Sequence, residues 1–197
     1  MFRLLRCLFL VAGLPGLLRV SAPAREPAPD WWGGLAVRDL SGAPVPLTGR
    51  WIVVVFISPE CPVANGAIPV LNALAADFAP DGVSFVGAYA DPSLAPAVIR
   101  KHAAEYRIDF ATADDRDQRL ARATQAAYTP EAFVFSRDGT LLYRGRIDDR
   151  VRDFGAARPR AAHQDLREVL SALVAGRPVP FATRPGFGCS IPDPVRQ

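Results

Sequence analysis

The sequence predicts an α/β sandwich, a central mixed β-sheet flanked by helices. Three observations carry that prediction. The run from Trp51 to Ile57 is continuous, β-branched and too short for a helix, so it reads as a strand buried on both faces. Directly after it, Ile68, Leu71, Leu74 and Phe78 recur at spacings of three and four, the apolar stripe of a helix. This strand-then-helix order repeats, and the chain then turns to a hairpin pattern and closes with a helix.

Each element has its own signal. Residues 25–50 are rich in Pro and Gly and read as a lead-in followed by a short hairpin, with Val37 and Leu47 flanking the turn-prone Ser41-Gly42. Ser58-Pro59-Glu60-Cys61-Pro62 breaks the first strand, and Pro62 suits the first position of the next helix. Val83 to Ala90 is a second buried strand. Pro92 to Tyr106 reads as a helix with Asp91 as its cap and Pro92 at its first position. Phe110 to Thr112 is a short third strand, and Asp115 to Ala126 a further helix. Glu131 to Ser136 is a strand, Arg137-Asp138-Gly139 a turn, and Thr140 to Arg146 the antiparallel partner. Leu166, Val169, Leu170, Leu173 and Val174 mark the last helix. From Gly176 the chain is again rich in Pro and Gly and reads as an extended arm.

Composition narrows the function. The chain has 197 residues, half of them hydrophobic and 22% charged, which suits one packed domain with attachments. Its formal charge of +3 invites a nucleic-acid reading, but Arg3, Arg6 and Arg19 account for all of it. The remainder carries 20 basic and 20 acidic residues, so no broad basic face for a phosphate backbone is expected.

The first residues read as an export signal. Arg3 and Arg6 precede an apolar run of 12 residues, Cys7 to Leu18, and Ala22-Pro23-Ala24 supplies a small-residue cleavage site. A bilayer span needs about 20 apolar residues, so no stable membrane span is expected after cleavage. The expected location is the periplasm or cell envelope, with the mature chain starting near Arg25. Of three cysteines, Cys61 and Cys189 then remain, in a compartment where disulfides persist.

Cys61 is the candidate nucleophile. It lies between the carboxyl end of a buried strand and the first turn of a helix, the edge of an α/β sheet where active sites gather. There the unpaired amides and the positive end of the helix dipole favour a thiolate. An ordinary thiol, with a pKa of about 8.5, is roughly 3% ionised at pH 7, and a fall of two units makes it roughly three quarters. Tyr128-Thr129-Pro130, directly before a strand, is the second feature, because a proline there can turn the chain and free the Thr129 backbone.

Together these segments resemble the thioredoxin fold. Within it, Phe56 to Asn65, Tyr143-Arg144-Gly145-Arg146-Ile147-Asp148-Asp149 and Gly188-Cys189-Ser190-Ile191 are similar to a bacterial exported subgroup of redoxins, the alkyl hydroperoxide reductase and thiol-specific antioxidant family. The resemblance covers about residues 33–191. It implies an attacking cysteine at Cys61, a cis-proline at Pro130, and Thr129 opposite the sulfur, with both residues docking a partner backbone. Ser58 and Pro62 would support the thiolate. The implied organisation is a signal peptide at 1–24, the lead-in and hairpin at 25–50, a thioredoxin-like core at 51–176, and an arm at 177–197 carrying Cys189.

The departures from the family are equally specific. Thioredoxins carry a second cysteine three residues after the first, and here that residue is Ala64. The peroxiredoxin motif Pro-x-x-x-Thr-x-x-Cys has Val54 for its proline and Ser58 for its threonine. The activating arginine of that group has no counterpart at Thr129-Pro130, which leaves Arg144 and Arg146 on the neighbouring strand as its candidates. Asn65 stands where copper chaperones of this fold carry a second cysteine, so no metal is expected, and no other cofactor either. Asp114-Asp115 and Asp148-Asp149 are neighbours in sequence that point apart, and His102 is expected as a surface or half-buried residue and not a ligand.

Cys189 has three open fates: a resolving cysteine on a flexible arm, half of a structural disulfide, or an unpaired thiol. The expected function is that of an exported redoxin, a thiol-disulfide oxidoreductase in which Cys61 attacks disulfides or oxidised thiols of proteins or small molecules. A thiol peroxidase with a degenerate signature, acting on peroxide, is the first alternative. A non-catalytic redoxin-like binding module is the second.

Overall fold

The computed structural model describes residues 37–153 and 155–192. The expected signal segment and the first part of the lead-in lie outside the described residues. One central strand organises the fold. β1 (Trp51–Phe56) is buried along its whole length. Its odd positions, Trp51, Val53 and Val55, enter one apolar cluster, and its even positions, Ile52, Val54 and Phe56, enter the other. Side chains alternate along a strand, so only a strand covered on both faces needs an unbroken apolar run. Each such Val, Ile or Phe contributes about 1.5–3 kcal/mol of transfer free energy.

β1 pairs in parallel with β2 (Val83–Tyr89), which pairs in parallel with β3 (Ala111–Asp114). On its other side β1 is antiparallel to β5 (Glu131–Ser136), and β5 to β6 (Leu141–Gly145). With β7 (Thr183–Arg184) parallel to β6, the six-stranded sheet runs β3-β2-β1-β5-β6-β7. Helices α1 (Pro62–Phe78), α2 (Pro96–Glu105) and α4 (Asp165–Val174) send Leu71, Leu74, Ile99, Leu166, Val169 and Leu170 into the first cluster. The short helix α3 (Arg119–Thr124) covers the opposite face with Leu120 and Ala121. The mixed sheet flanked by helices is the architecture that the sequence pattern predicts.

Several boundaries differ, each for a local reason. The helix expected from Pro92 begins at Pro96, because the Asp91 carboxylate accepts from the Ser93 amide and hydroxyl and folds a turn that buries Leu94. The helix expected over 115–126 shrinks to α3. Gln118 adopts φ +57°, and the buried Asp115 carboxylate reaches past it to the amides of Leu120 and Ala121 at 2.8 and 2.9 Å. The third strand is displaced by one or two residues, to Ala111–Asp114. In the N-terminal hairpin the turn at Gly42 (φ +85°) is as expected, and the Val45 amide donates to Val37 O at 3.0 Å across it.

The C-terminal arm is extended, as expected, but it is not loose. β7 adds to the sheet, and β8 (Cys189–Ser190) pairs with β4 (Tyr128–Thr129) in a separate two-stranded ladder. The glycines near this arm serve close approach, not flexibility. A Cβ on Gly145 would collide with the Arg184 backbone, and one on Gly186 would lie 2.8 Å from Arg146 Cβ and the Tyr128 hydroxyl.

Candidate active site

Cys61 is the N-cap of α1, with Pro62 at the first helical position. Its amide donates to Ser58 O at 3.2 Å, and its sulfur accepts from the Ala64 amide at 3.4 Å. The half-buried Ser58 accepts from the Glu60 amide at 3.3 Å through its hydroxyl oxygen, and the Ala64 amide is the helix-start donor at the sulfur. The cap geometry explains this, because the first-turn amides have no partner within the helix. Glu60 is exposed.

The Thr129–Pro130 peptide is cis, and Thr129 and Pro130 are both buried. The Thr129 carbonyl accepts from the Cys61 thiol at 3.0 Å, which places this residue opposite the sulfur. Glu131 anchors the segment from below. Its buried carboxylate accepts from the Ala127 amide at 2.9 Å and from Arg144 Nε at 2.6 Å.

The Thr129 backbone, expected to be free for a partner, is already taken. Thr129 lies opposite Cys189 in the β4–β8 ladder, and the Ile191 amide donates to Ala127 O at 3.1 Å. A Cβ on Gly188 would collide with the Thr129 carbonyl, so glycine lets the arm lie this close. Two further contacts fix it. The Gly186 amide donates to the Tyr128 hydroxyl at 2.9 Å, and Gln118 Nε2 donates to Ala90 O and Pro192 O at 2.7 and 2.6 Å.

This arrangement brings the two cysteines together, both as free thiols. Burial opposes ionisation of the Cys61 sulfur. Hydrogen bonds from the Cys189 thiol, the Thr129 side chain and the Ala64 and Cys189 amides outweigh it and hold the Cys61 pKa below the ordinary thiol value. Cys189 moves the other way. Burial, donation of its hydrogen to Cys61 and the charge on that sulfur push it up to about 11. Cys61 is fully buried, whereas Cys189 is half-buried and lines a cavity of about 180 Å³ with Ser58, Glu60, Asp91 and Ile191.

Sequence reasoning missed a buried relay behind the Cys61 loop. Asn65 Nδ2 donates to Pro59 O at 2.9 Å, so its Oδ1 accepts from His102 Nε2 at 2.8 Å. That leaves His102 Nδ1 to accept from the Tyr89 hydroxyl at 2.8 Å. His102 is therefore buried, deeper than the surface or half-buried place expected, and burial lowers its pKa. A polar residue one helical turn after Cys61 was the available signal, but its partner lies on another helix.

The segment from Tyr143 to Asp149 is a set of anchors. Arg144 binds Glu131 and Gln125 O, and Arg146 binds the buried Asp165 at 2.7 Å. Neither candidate arginine is held at the thiol. Asp148 pairs with Arg150, while Asp149 accepts from Arg158 and from the Ala162 and His163 amides. Asp114 pairs with Arg116 and Asp115 with backbone amides, so the adjacent acids diverge. Among the described residues no group of three or more His, Cys, Asp or Glu converges on a metal-sized site. Among them, too, no helix is long and apolar enough to cross a membrane.

Comparison with known proteins places this site in a family. The model of the AhpC/TSA family matches residues 26–144, more than half of the chain. No curated protein matches. Among solved structures, an uncharacterized conserved protein from Geobacillus kaustophilus is 33% identical, with a TM-score of 0.69 over 81% of this chain and 88% of that one. A secreted Mycobacterium tuberculosis disulfide oxidoreductase homologous to E. coli DsbE is 26% identical, with a TM-score of 0.51 over 72% of this chain and 96% of that one. The bacterioferritin comigratory protein of Xanthomonas campestris, studied for alkyl peroxide reduction, is 21% identical, with a TM-score of 0.52 over 71% of this chain and 90% of that one, a likeness of fold. Its sheet, its cysteine at the start of a helix and its cis-proline thus have a common setting: the chain belongs to the AhpC/TSA family and has a thioredoxin-like fold.

Proposed function

We propose that this protein is an exported thiol-disulfide oxidoreductase whose redox couple is Cys61 with Cys189. The observation that carries the reading is that Cys189 lies opposite Thr129 in the β4–β8 ladder, while the Thr129 carbonyl accepts from the Cys61 thiol at 3.0 Å. A cysteine pair that thioredoxins place within one helical turn is here assembled from distant sequence. The lowered pKa of Cys61 supports it as the internal nucleophile, and the pairing of Cys189 with Thr129 supports Cys189 as the resolving thiol. In this reading both sulfurs are oxidised together, and the two electrons and two protons leave with a disulfide substrate that becomes two thiols. Thr129 and Pro130 hold Cys61 and the arm in register, and Pro62 starts the helix that stabilises the thiolate.

Peroxide reduction has less support, because Arg144 and Arg146 are committed to Glu131 and Asp165. Export rests on the basic, apolar and small-residue pattern of residues 3–24. A non-reducing peptide map of the protein from its own envelope, followed by glutathione titration, tests the couple. A Cys61–Cys189 disulfide that exchanges with glutathione is the expected result. A bond that resists strong reductant makes the pair a staple, and two free, sluggish thiols make the domain a binding module. An amino terminus near Arg25 is the expected sign of export, and an intact amino terminus would refute cleavage.

A further inference from the structure

The cleft between the turn after β2 and the strand β8 shows which sulfur an outside molecule can reach. Cys61 has no exposed surface, since Thr129 faces its sulfur and the arm lies across it. Cys189 is half-buried and lines the 180 Å³ cavity, together with Ser58 from the Cys61 loop, Asp91 from the turn after β2 and Ile191 from the arm. The backbone edge of Thr129, the other surface a polypeptide could use, is filled by β8. Reaching Cys61 directly would require the arm to lift, with loss of the Gln118, Tyr128 and Ala127 contacts that hold it.

We propose that external thiols enter this cleft and exchange at Cys189, while Cys61 is the internal half of the couple. The proposal rests on the Cys61–Cys189 redox pair argued above. Starting from the disulfide, the thiolate of an outside dithiol attacks the Cys189 sulfur. A new bond joins the outside sulfur to Cys189, the Cys61–Cys189 bond breaks, and Cys61 leaves with the electron pair as a thiolate. The second thiol of the partner, ionised by loss of its proton to water, then attacks the partner's own sulfur in the mixed disulfide. Cys189 leaves and takes a proton from water. The partner dithiol has lost two electrons and become a disulfide, and the protein has gained them. A disulfide-bearing oxidant recovers the pair by the same exchange in reverse.

The chemistry agrees with the geometry. In thiol exchange the better leaving group is the sulfur with the lower pKa, and here that is the buried one. The Ala64 amide at the helix start is already aimed at the charge that develops on Cys61. Attack in the opposite sense would expel Cys189, whose thiolate is disfavoured. Both the cleft and the leaving-group order therefore direct an attacking thiolate to Cys189 and not to Cys61.

The test uses the unaltered protein. The chain is oxidised with diamide, and a peptide map establishes whether the Cys61–Cys189 disulfide is present. Excess cysteamine, which carries one thiol, is added, and the reaction is quenched in acid at short times and mapped by mass spectrometry. The expected result is an adduct on Cys189 in at least tenfold excess over Cys61, with Cys61 free. An adduct mainly on Cys61, with the disulfide present beforehand, overturns the proposal and leaves the couple standing. Absence of the disulfide before cysteamine is added overturns both.

Discussion

Cys61 is placed by contiguous sequence, the buried strand before it and the proline-started helix after it, whereas Cys189 reaches the same spot through an arm from the far end of the chain. Both cysteines meet at Thr129, but one pKa falls and the other rises. The difference lies in what each sulfur meets. Cys61 caps a helix and collects donors from Ala64, Thr129 and Cys189; Cys189 sits on a strand and gives its own hydrogen away. Thiol reactivity is thus a property of the local donor set, and one region can be built locally while the other is built only by docking.

The comparison can be broken at its common base. Phe133, fully buried beside Phe56, serves the core beneath both regions. Phe133→Ala should cost about 3–5 kcal/mol in denaturant unfolding. Both thiol environments should be lost in the same transition, and separate transitions would mean that the arm and core fold independently.

A smaller and selective effect is expected from Gly188→Val, whose side chain collides with the Thr129 carbonyl. Overpacking of this kind costs about 1–3 kcal/mol, and here detachment of β8 can relieve it. Amide exchange should accelerate from Thr183 to Ile191 while β1 and α1 keep their protection, and the Cys61–Cys189 disulfide should form more slowly. Unchanged exchange in the arm would show that β8 contributes little.

Cys189→Ala sharpens the contrast without opening the site. Removing the thiol that donates to Cys61 should move the Cys61 titration upward, toward the ordinary value of about 8.5, as read by ultraviolet thiolate absorbance. The linked stabilities have opposite signs. The lowered pKa of Cys61 adds stability that is present above the ordinary thiol pKa and is lost as pH falls through the folded value. The raised pKa of Cys189 gives stability that is lost as pH climbs from the ordinary thiol value toward about 11. A titration of the variant at or below the wild-type midpoint would show that Ala64 and the helix start suffice.

The smallest effect concerns charge at the cleft. Glu60 and Asp91 line it, so anionic glutathione should exchange more slowly than cationic cysteamine after correction for their intrinsic reactivities. Glu60→Gln should narrow that gap a few-fold, and salt near 0.15 M, where the screening length is about 8 Å, should narrow it further. A gap that ignores both changes would place the exchanging sulfur elsewhere.

Much of the core was legible because its rules are local. The Trp51–Phe56 run, the stripe of α1 and the hairpin around Asp138-Gly139 are periodicities of contiguous residues, and the structure realises them nearly to the residue. Helix starts were less legible. Asp91 looks like a cap and Asp115 like the first residue of a helix in sequence, but their side chains bond to a turn and to more distant amides. His102 was misplaced because Tyr89 and Asn65, which make its burial possible, lie on a strand and a different helix. The arm's glycines looked like a flexible tether because composition gives no sign of a carbonyl waiting opposite Gly188.

The sequence alone determined the sheet, its helices and the cysteine at the head of α1, because buried periodicity and helix capping act between neighbours in the chain. Tertiary structure decided which cysteine meets Cys61 at Thr129, which of the two lines the cleft and where the arginines of the hairpin go. Those depend on close approach between segments far apart in sequence, where a missing Cβ or a buried carboxylate matters only once its partner has arrived.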